Sequence, residues 1–196
     1  MFKIRHESGK RLVHDAEKAG IQQRFMSLES NSDKPYFFIP YRDEYDEEKE
    51  DDYPTYEPDM EDRFNIQGLH FYMNSCFGAY PKDDNKPFGA CYKDEVAGDD
   101  RLLRGELIAI VKIMTVRLNT KSLRPHTVAP VMLYSIMCLQ QLRVLEAYFN
   151  GKNLIIRKTK LYDMKQEATA MVDLLTRWWF GFAVGETKSV KTAPLP

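Results

Sequence analysis

Arg143, Lys152, Arg157, Lys158 and Lys160 fall within one short stretch of the chain. Clustered positive charge is nearly all that engagement of a phosphate backbone requires, so these residues suggest a nucleic acid or another anionic macromolecule as partner. Side chains alternate along a strand, which directs Lys158 and Lys160 to one face and Arg157 to the other. The same composition suits the polar face of a sheet, where lysine at an edge discourages aggregation. Charge along the chain is strongly segregated. Between Tyr41 and Asp62 twelve carboxylates stand against Arg42 and Lys49, a net −10. Between Arg101 and Lys160 eleven bases stand against only Glu106 and Glu146, a net +9, although the whole chain carries −1. An acidic arm and a basic body imply either an anionic partner for the body or an arm that folds back on it.

The other reactive side chains point to no catalytic centre. His70, Cys76, Cys91 and His126 lack the pair of ligands two to four residues apart that structural zinc sites usually show, so no metal is expected. Cys138 lies in an apolar run, where a thiol is inert. The chain has three cysteines, an odd number that fits reduced thiols better than a disulfide framework. With no apolar signal-peptide core in MFKIRHESGK and no long uncharged apolar window, the expectation is a soluble, intracellular protein, cytoplasmic or nuclear. Phosphate-loop and Gly-x-Ser-x-Gly patterns are missing from the sequence, and no cofactor is expected. Trp178 and Trp179 adjoin, so a helix cannot turn both rings straight into a core. Trp179 with Phe180 is therefore a candidate contact for a protein partner.

These residues must be positioned by a small set of elements. Glu7–Glu29 reads as a first helix, broken near Gly20, and Tyr36–Ile39 as a short strand or anchor closed by Pro40. Pro54 and Pro58 bar regular structure from the acidic segment. Asp99-Asp100 offers an N-cap for a helix whose stripe is Leu103, Leu107, Ile110, Val111, Met114 and Leu118. Val131–Cys138 is a continuous apolar run of strand length, buried on both faces. Arg143–Phe149 and Leu154–Tyr162 form a hairpin through Asn150-Gly151. A loop centred on Gly151-Lys152 sets Glu146 across from Arg157 and Ala147 across from Ile156; one centred on Asn150-Gly151 sets Glu146 across from Ile155. The first pairs opposite charges and is preferred. Asp163 and Gln166 suit a capping box for a second helix with the stripe Ala168, Met171, Leu175, Trp178 and Phe182, ended by Gly181 and Gly185. The expected fold class is α+β: a small antiparallel or mixed sheet, a strand plus a β-hairpin, packed between helices. An N-terminal helix and apolar anchor (1–40) and an acidic, tyrosine-containing arm (41–62) precede the globular domain (63–185), and a disordered tail (186–196) follows.

Helix, strand, hairpin, helix is also the element order of the restriction-endonuclease-like (PD-(D/E)XK) nuclease core, which this part of the chain resembles. The resemblance implies a metal-dependent nuclease scaffold in which Glu106, Glu146 and Lys160 would gather around Mg²⁺ or Mn²⁺. The chain departs from that pattern at Lys158, which stands where the family has a carboxylate, and a lysine among oxygen ligands opposes a hard cation. The expected function is therefore non-catalytic binding: a basic body engages an anionic partner, or its own acidic arm, through Arg143, Lys152, Arg157, Lys158 and Lys160. A degenerate nuclease scaffold, or an interaction module working through the C-terminal helix, are the alternatives.

Overall fold

The computed structural model describes residues 17–41, 89–97, 99–138, 141–164 and 169–188. In chain order its elements are β1 (Ile21–Phe25), β2 (Phe38–Ile39), β3 (Gly89–Ala97), α1 (Arg104–Asn119), β4 (Val131–Cys138), β5 (Gln141–Phe149), β6 (Leu154–Lys158), β7 (Tyr162–Asp163), α2 (Thr169–Trp179) and β8 (Phe182–Ala183). The main sheet has the order β1-β6-β5-β4-β3, and β7 also pairs with β5. β3 runs parallel to β4, and α1 makes the crossover that parallel neighbours require. β4, β5 and β6 are antiparallel in succession, and β1 closes its end of the sheet parallel to β6. Among the described residues the result is a mixed sheet with two helices, an α+β fold.

Alternation along β4 sorts the core into two layers. Val131 and Leu133 pack with Ile110 and Met114 of α1, together with Leu145, Ala147, Ile156 and Ile21. Met132, Tyr134 and Ile136 pack on the opposite face with Leu175, Trp178 and Trp179 of α2. Every residue from Val131 to Met137 is buried, the expected fate of an apolar run with a helix on each side. The β5–β6 hairpin adopts the charge-paired register: Glu146 is opposite Arg157 and Ala147 opposite Ile156. Its turn places Gly151 at φ 92°, a left-handed conformation that suits glycine.

Several local expectations are corrected. The first helix was expected to reach Glu29, but Ile21–Phe25 is a strand. Gly20, at φ 73°, ends a turn whose amide returns to the Glu17 carbonyl. From there the chain gains a ladder with β6 and a buried site for Ile21, which outweigh weak helical propensity. α1 starts at Arg104 rather than beside Asp99-Asp100, because the Leu103 amide donates to Glu106 Oε2 at 2.8 Å within the first turn. Val111 and Leu118, expected on the buried stripe, are exposed. Asp163 belongs to β7 and pairs with Gln141 instead of capping a helix. Phe182 leaves the helix for β8, where it pairs with Ile39. Residues 186–188, expected in a disordered tail, are docked: the Thr187 carbonyl accepts the Thr127 and Val128 amides, and Lys188 bridges to His126. The expected helix before residue 17, most of the acidic segment, His70, Cys76, Gln166, Ala168 and the tail beyond Lys188 lie outside the described residues.

Candidate functional site

Both acidic residues of the basic region are buried, and each is held by an arginine. Glu106, on the first turn of α1, faces Arg143 of β5. The guanidinium donates from Nε to Oε1 at 2.9 Å and from Nη2 to Oε2 at 2.6 Å. Both side chains are essentially inaccessible. Arg143 has donors left over, and they go to the Asp99 and Arg101 carbonyls at 2.9 and 2.7 Å. A two-pronged guanidinium thus satisfies a buried carboxylate and fastens the segment that leads into α1.

Glu146 and Arg157 repeat this scheme on the opposite face. Arg157 Nη1 donates to Glu146 Oε2 at 2.9 Å and to the Lys34 carbonyl at 2.7 Å, while Nη2 donates to the Asp33 carbonyl at 3.0 Å. Glu146 Oε1 accepts the Tyr36 and Phe37 amides, both at 2.7 Å. The Tyr36 ring lies over the Arg157 guanidinium, 3.6 Å from its carbon to the ring centroid. Burial pushes the Glu146 carboxyl above its ordinary value, against the pull of the Phe37 amide and the Arg157 charge. This second pair pins residues 33–37, the connection between β1 and β2.

Strand alternation explains the two settings. Arg143 and Glu146 are three apart on β5, so they project from opposite faces. Glu106 and Glu146 consequently lie on the two sides of the sheet and cannot chelate one cation. Lys160 joins neither: it lies past the end of β6 and is exposed, with Nζ 3.7 Å from Glu29 and 5.4 Å from the Tyr162 ring centroid. The trio Glu106, Glu146 and Lys160 that the nuclease resemblance implied is therefore not assembled. Among the described residues no group of three or more His, Cys, Asp or Glu is placed to hold a metal ion.

The expected anion-binding face is likewise taken apart. Arg143 and Arg157 are buried and committed to carboxylates. Lys158 is also buried, with its ammonium on the Asp100 carbonyl and 3.4 Å from Gln23 Oε1. Burial, and then the neighbouring Arg143 charge, lower its pKa. Lys158 and Lys160 do not share a face, because β6 ends at Lys158. Of the five bases only Lys152, at the hairpin turn, and Lys160 are exposed. Trp179 is corrected as a surface contact: it is 3% exposed and meets Tyr134 edge-on at 4.8 Å. Trp178 is buried too and donates to the Leu28 carbonyl, while Phe180 packs partly buried against the same core. The segment around β2 docks on the end of α2: the Gly181 backbone closely approaches the Ile39 carbonyl, and the Tyr41 amide donates to the Arg177 carbonyl at 2.8 Å.

Sequence reasoning missed the outward surface of α1. Arg104, Ile108, Val111, Lys112, Thr115, Val116 and Leu118 are all exposed there, and the only acid on the helix, Glu106, points inward. Lys121 and Arg124, in and after the following short 3-10 turn (Lys121–Leu123), extend the positive charge. The available signal was a helix with apolar residues on every side, which one buried stripe cannot absorb. Comparison with protein-family models, with curated proteins and with solved structures finds no match for this chain.

Proposed function

We propose that this chain is a non-catalytic interaction protein whose α1 surface takes an acidic polypeptide segment bearing aromatic side chains. The observation that carries the reading is that surface itself. Arg104 and Lys112 are exposed on the same helix as Ile108, Val111, Val116 and Leu118, the exposed bases Lys121 and Arg124 follow its C-terminal end, and the helix has no exposed carboxylate. Four exposed apolar side chains on one helix make a contact surface rather than isolated surface residues. Cations around them favour a ligand that carries negative charge between apolar groups. A duplex phosphate backbone would use the charge and leave the apolar residues uncovered. Residues 41–62 of this chain, with twelve carboxylates and Tyr41, Tyr45, Tyr53 and Tyr56, have that ligand chemistry, which makes the acidic arm a competitor for the same surface. The commitment of Glu106, Glu146, Arg143 and Arg157 to internal pairs also supports binding over catalysis.

The test is fluorescence anisotropy of a labelled peptide with the sequence Tyr41–Asp62, titrated with the chain at low and moderate salt, beside labelled single- and double-stranded DNA and RNA. Saturable peptide binding that weakens with salt, and is lost when Arg104 and Lys112 are both changed to glutamate, is the expected result. No peptide binding at low salt overturns the proposal, as does tighter binding to the nucleic acids.

A further inference from the structure

β1 ends the main sheet, and its backbone shows which groups are left facing outward. The Leu154 amide donates to the Gly20 carbonyl and the Met26 amide donates to the Lys158 carbonyl, both at 2.9 Å. Between them Gln22 is in register with Ile155 and Arg24 with Arg157. In a parallel ladder every second residue turns both its backbone groups toward the neighbour. Gly20, Gln22, Arg24 and Met26 therefore serve β6, and Ile21, Gln23 and Phe25 direct their amides and carbonyls away from it. Gln23, Arg24 and Phe25 are exposed, Phe25 to 68%. An open cavity of about 360 Å³, lined by Glu17, Gln22, Gln23, Arg24 and Asn153, adjoins this edge.

We propose that this edge pairs with the same edge of a second copy, antiparallel about a two-fold axis at Gln23, so that one sheet runs through a homodimer. The sequence Ile21-Gln22-Gln23-Arg24-Phe25 is self-complementary in that register. Ile21 meets Phe25 of the second copy, Gln22 meets Arg24 of the second copy, and the two Gln23 side chains meet at the axis. The outward amides and carbonyls of Ile21, Gln23 and Phe25 then face their counterparts as hydrogen-bonded pairs. Ile21, Gln23 and Phe25 share the α1 side of the sheet, so the exposed Phe25 ring gains an apolar cross-strand neighbour. Arg24 opposes a neutral amide on the other side, and no like charges are brought together. An axis at Arg24 would join two arginines through backbone groups already used by β6. The edge has no proline, bulge or covering element among the described residues, the devices that usually block such pairing. α1 packs against β3 and β4, at the other end of the strand order from β1, and the proposed peptide surface is its outward side, so the two interfaces are independent.

Size-exclusion chromatography with light scattering across the micromolar range tests the proposal on the full chain and two variants. Gln23→Pro removes an amide that β6 does not use, and proline is tolerated at such an edge position. Phe25→Asp removes the exposed ring while leaving the backbone unchanged. The expected result is a concentration-dependent dimer for the wild type and loss of that dimer in both variants, with unchanged circular dichroism. A wild type that stays monomeric overturns the proposal, as does a dimer that survives Phe25→Asp. Should Gln23→Pro disturb the fold, Phe25→Asp still decides.

Discussion

Glu106 and Glu146 enter a catalytic reading through the nuclease resemblance, and each turns out to be an internal fastener. Removing the Glu106 side chain would leave Arg143 charged in the core and free the Leu103 amide. Glu106→Ala should therefore cost about 3–5 kcal/mol, measured by urea denaturation, whereas Glu106→Leu combined with Arg143→Met should recover much of that loss. A Glu106→Ala chain as stable as the wild type would contradict the buried pair. Glu146 gives a test in pH. Burial raises its folded-state pKa, so the folded chain holds this proton more tightly than the unfolded chain. Its contribution to stability is complete below the unfolded value and is lost as pH rises through the folded value. The stability of the wild type relative to Glu146→Gln should thus fall as pH increases from about 4 and level off once the folded group is ionised. Denaturation at a series of pH values measures this, and a gap that widens with pH would mean that the hydrogen bonds outweigh burial.

At the scale of elements, two glycines show how different constraints look alike in a sequence. Gly151 needs a positive φ in the hairpin turn, and a Cβ there would meet nothing within 4 Å. Gly181 has an ordinary φ, but a Cβ there would overlap the Ile39 carbonyl oxygen. Gly151→Ala should cost about 1 kcal/mol of conformational strain. Gly181→Ala should cost more, about 1–3 kcal/mol, by prising the β2–β8 ribbon off the end of α2. Thermal unfolding of the two variants gives the order, and equal midpoints would refute the close approach. The Gly151 constraint was legible, since Asn150-Gly151 lies between two β-rich runs. The Gly181 constraint was not, because its partner Ile39 is remote in sequence. β4 and the hairpin register were read correctly for local reasons: an unbroken apolar run, and opposite charges at matching distances from a turn. β1 has no such local signal, because a strand at the end of a sheet is decided by the neighbour it pairs with.

For the molecule as a whole, charge segregation is an observation of sequence, and its consequence depends on which charges reach the surface. Arg143, Arg157 and Lys158 are internal, so the cluster itself leaves only Lys152 and Lys160 outside, while the outward side of α1 and the turn after it expose Arg104, Lys112, Lys121 and Arg124. If the acidic segment occupies that surface, the intact chain is partly self-inhibited. A chain lacking Asp43–Asp62 should then bind the labelled acidic peptide more tightly than the intact chain, most clearly at low salt, where screening is weakest. Equal affinities in an anisotropy titration would remove intramolecular competition. No helix among the described residues is long and apolar enough to cross a membrane.

From the sequence follow the separation of charge into two segments, the expectation of an α+β class and a fully buried strand, and the preference for the register that sets Glu146 opposite Arg157. Each rests on local periodicity or composition, which neighbouring residues supply. It took the packed fold to place Glu106 and Glu146 on opposite faces, three of the five clustered bases in the interior, both tryptophans under cover and Ile21–Phe25 in a strand. Those outcomes depend on which distant segment covers each face, and a side chain's accessibility follows from that packing rather than from its own type.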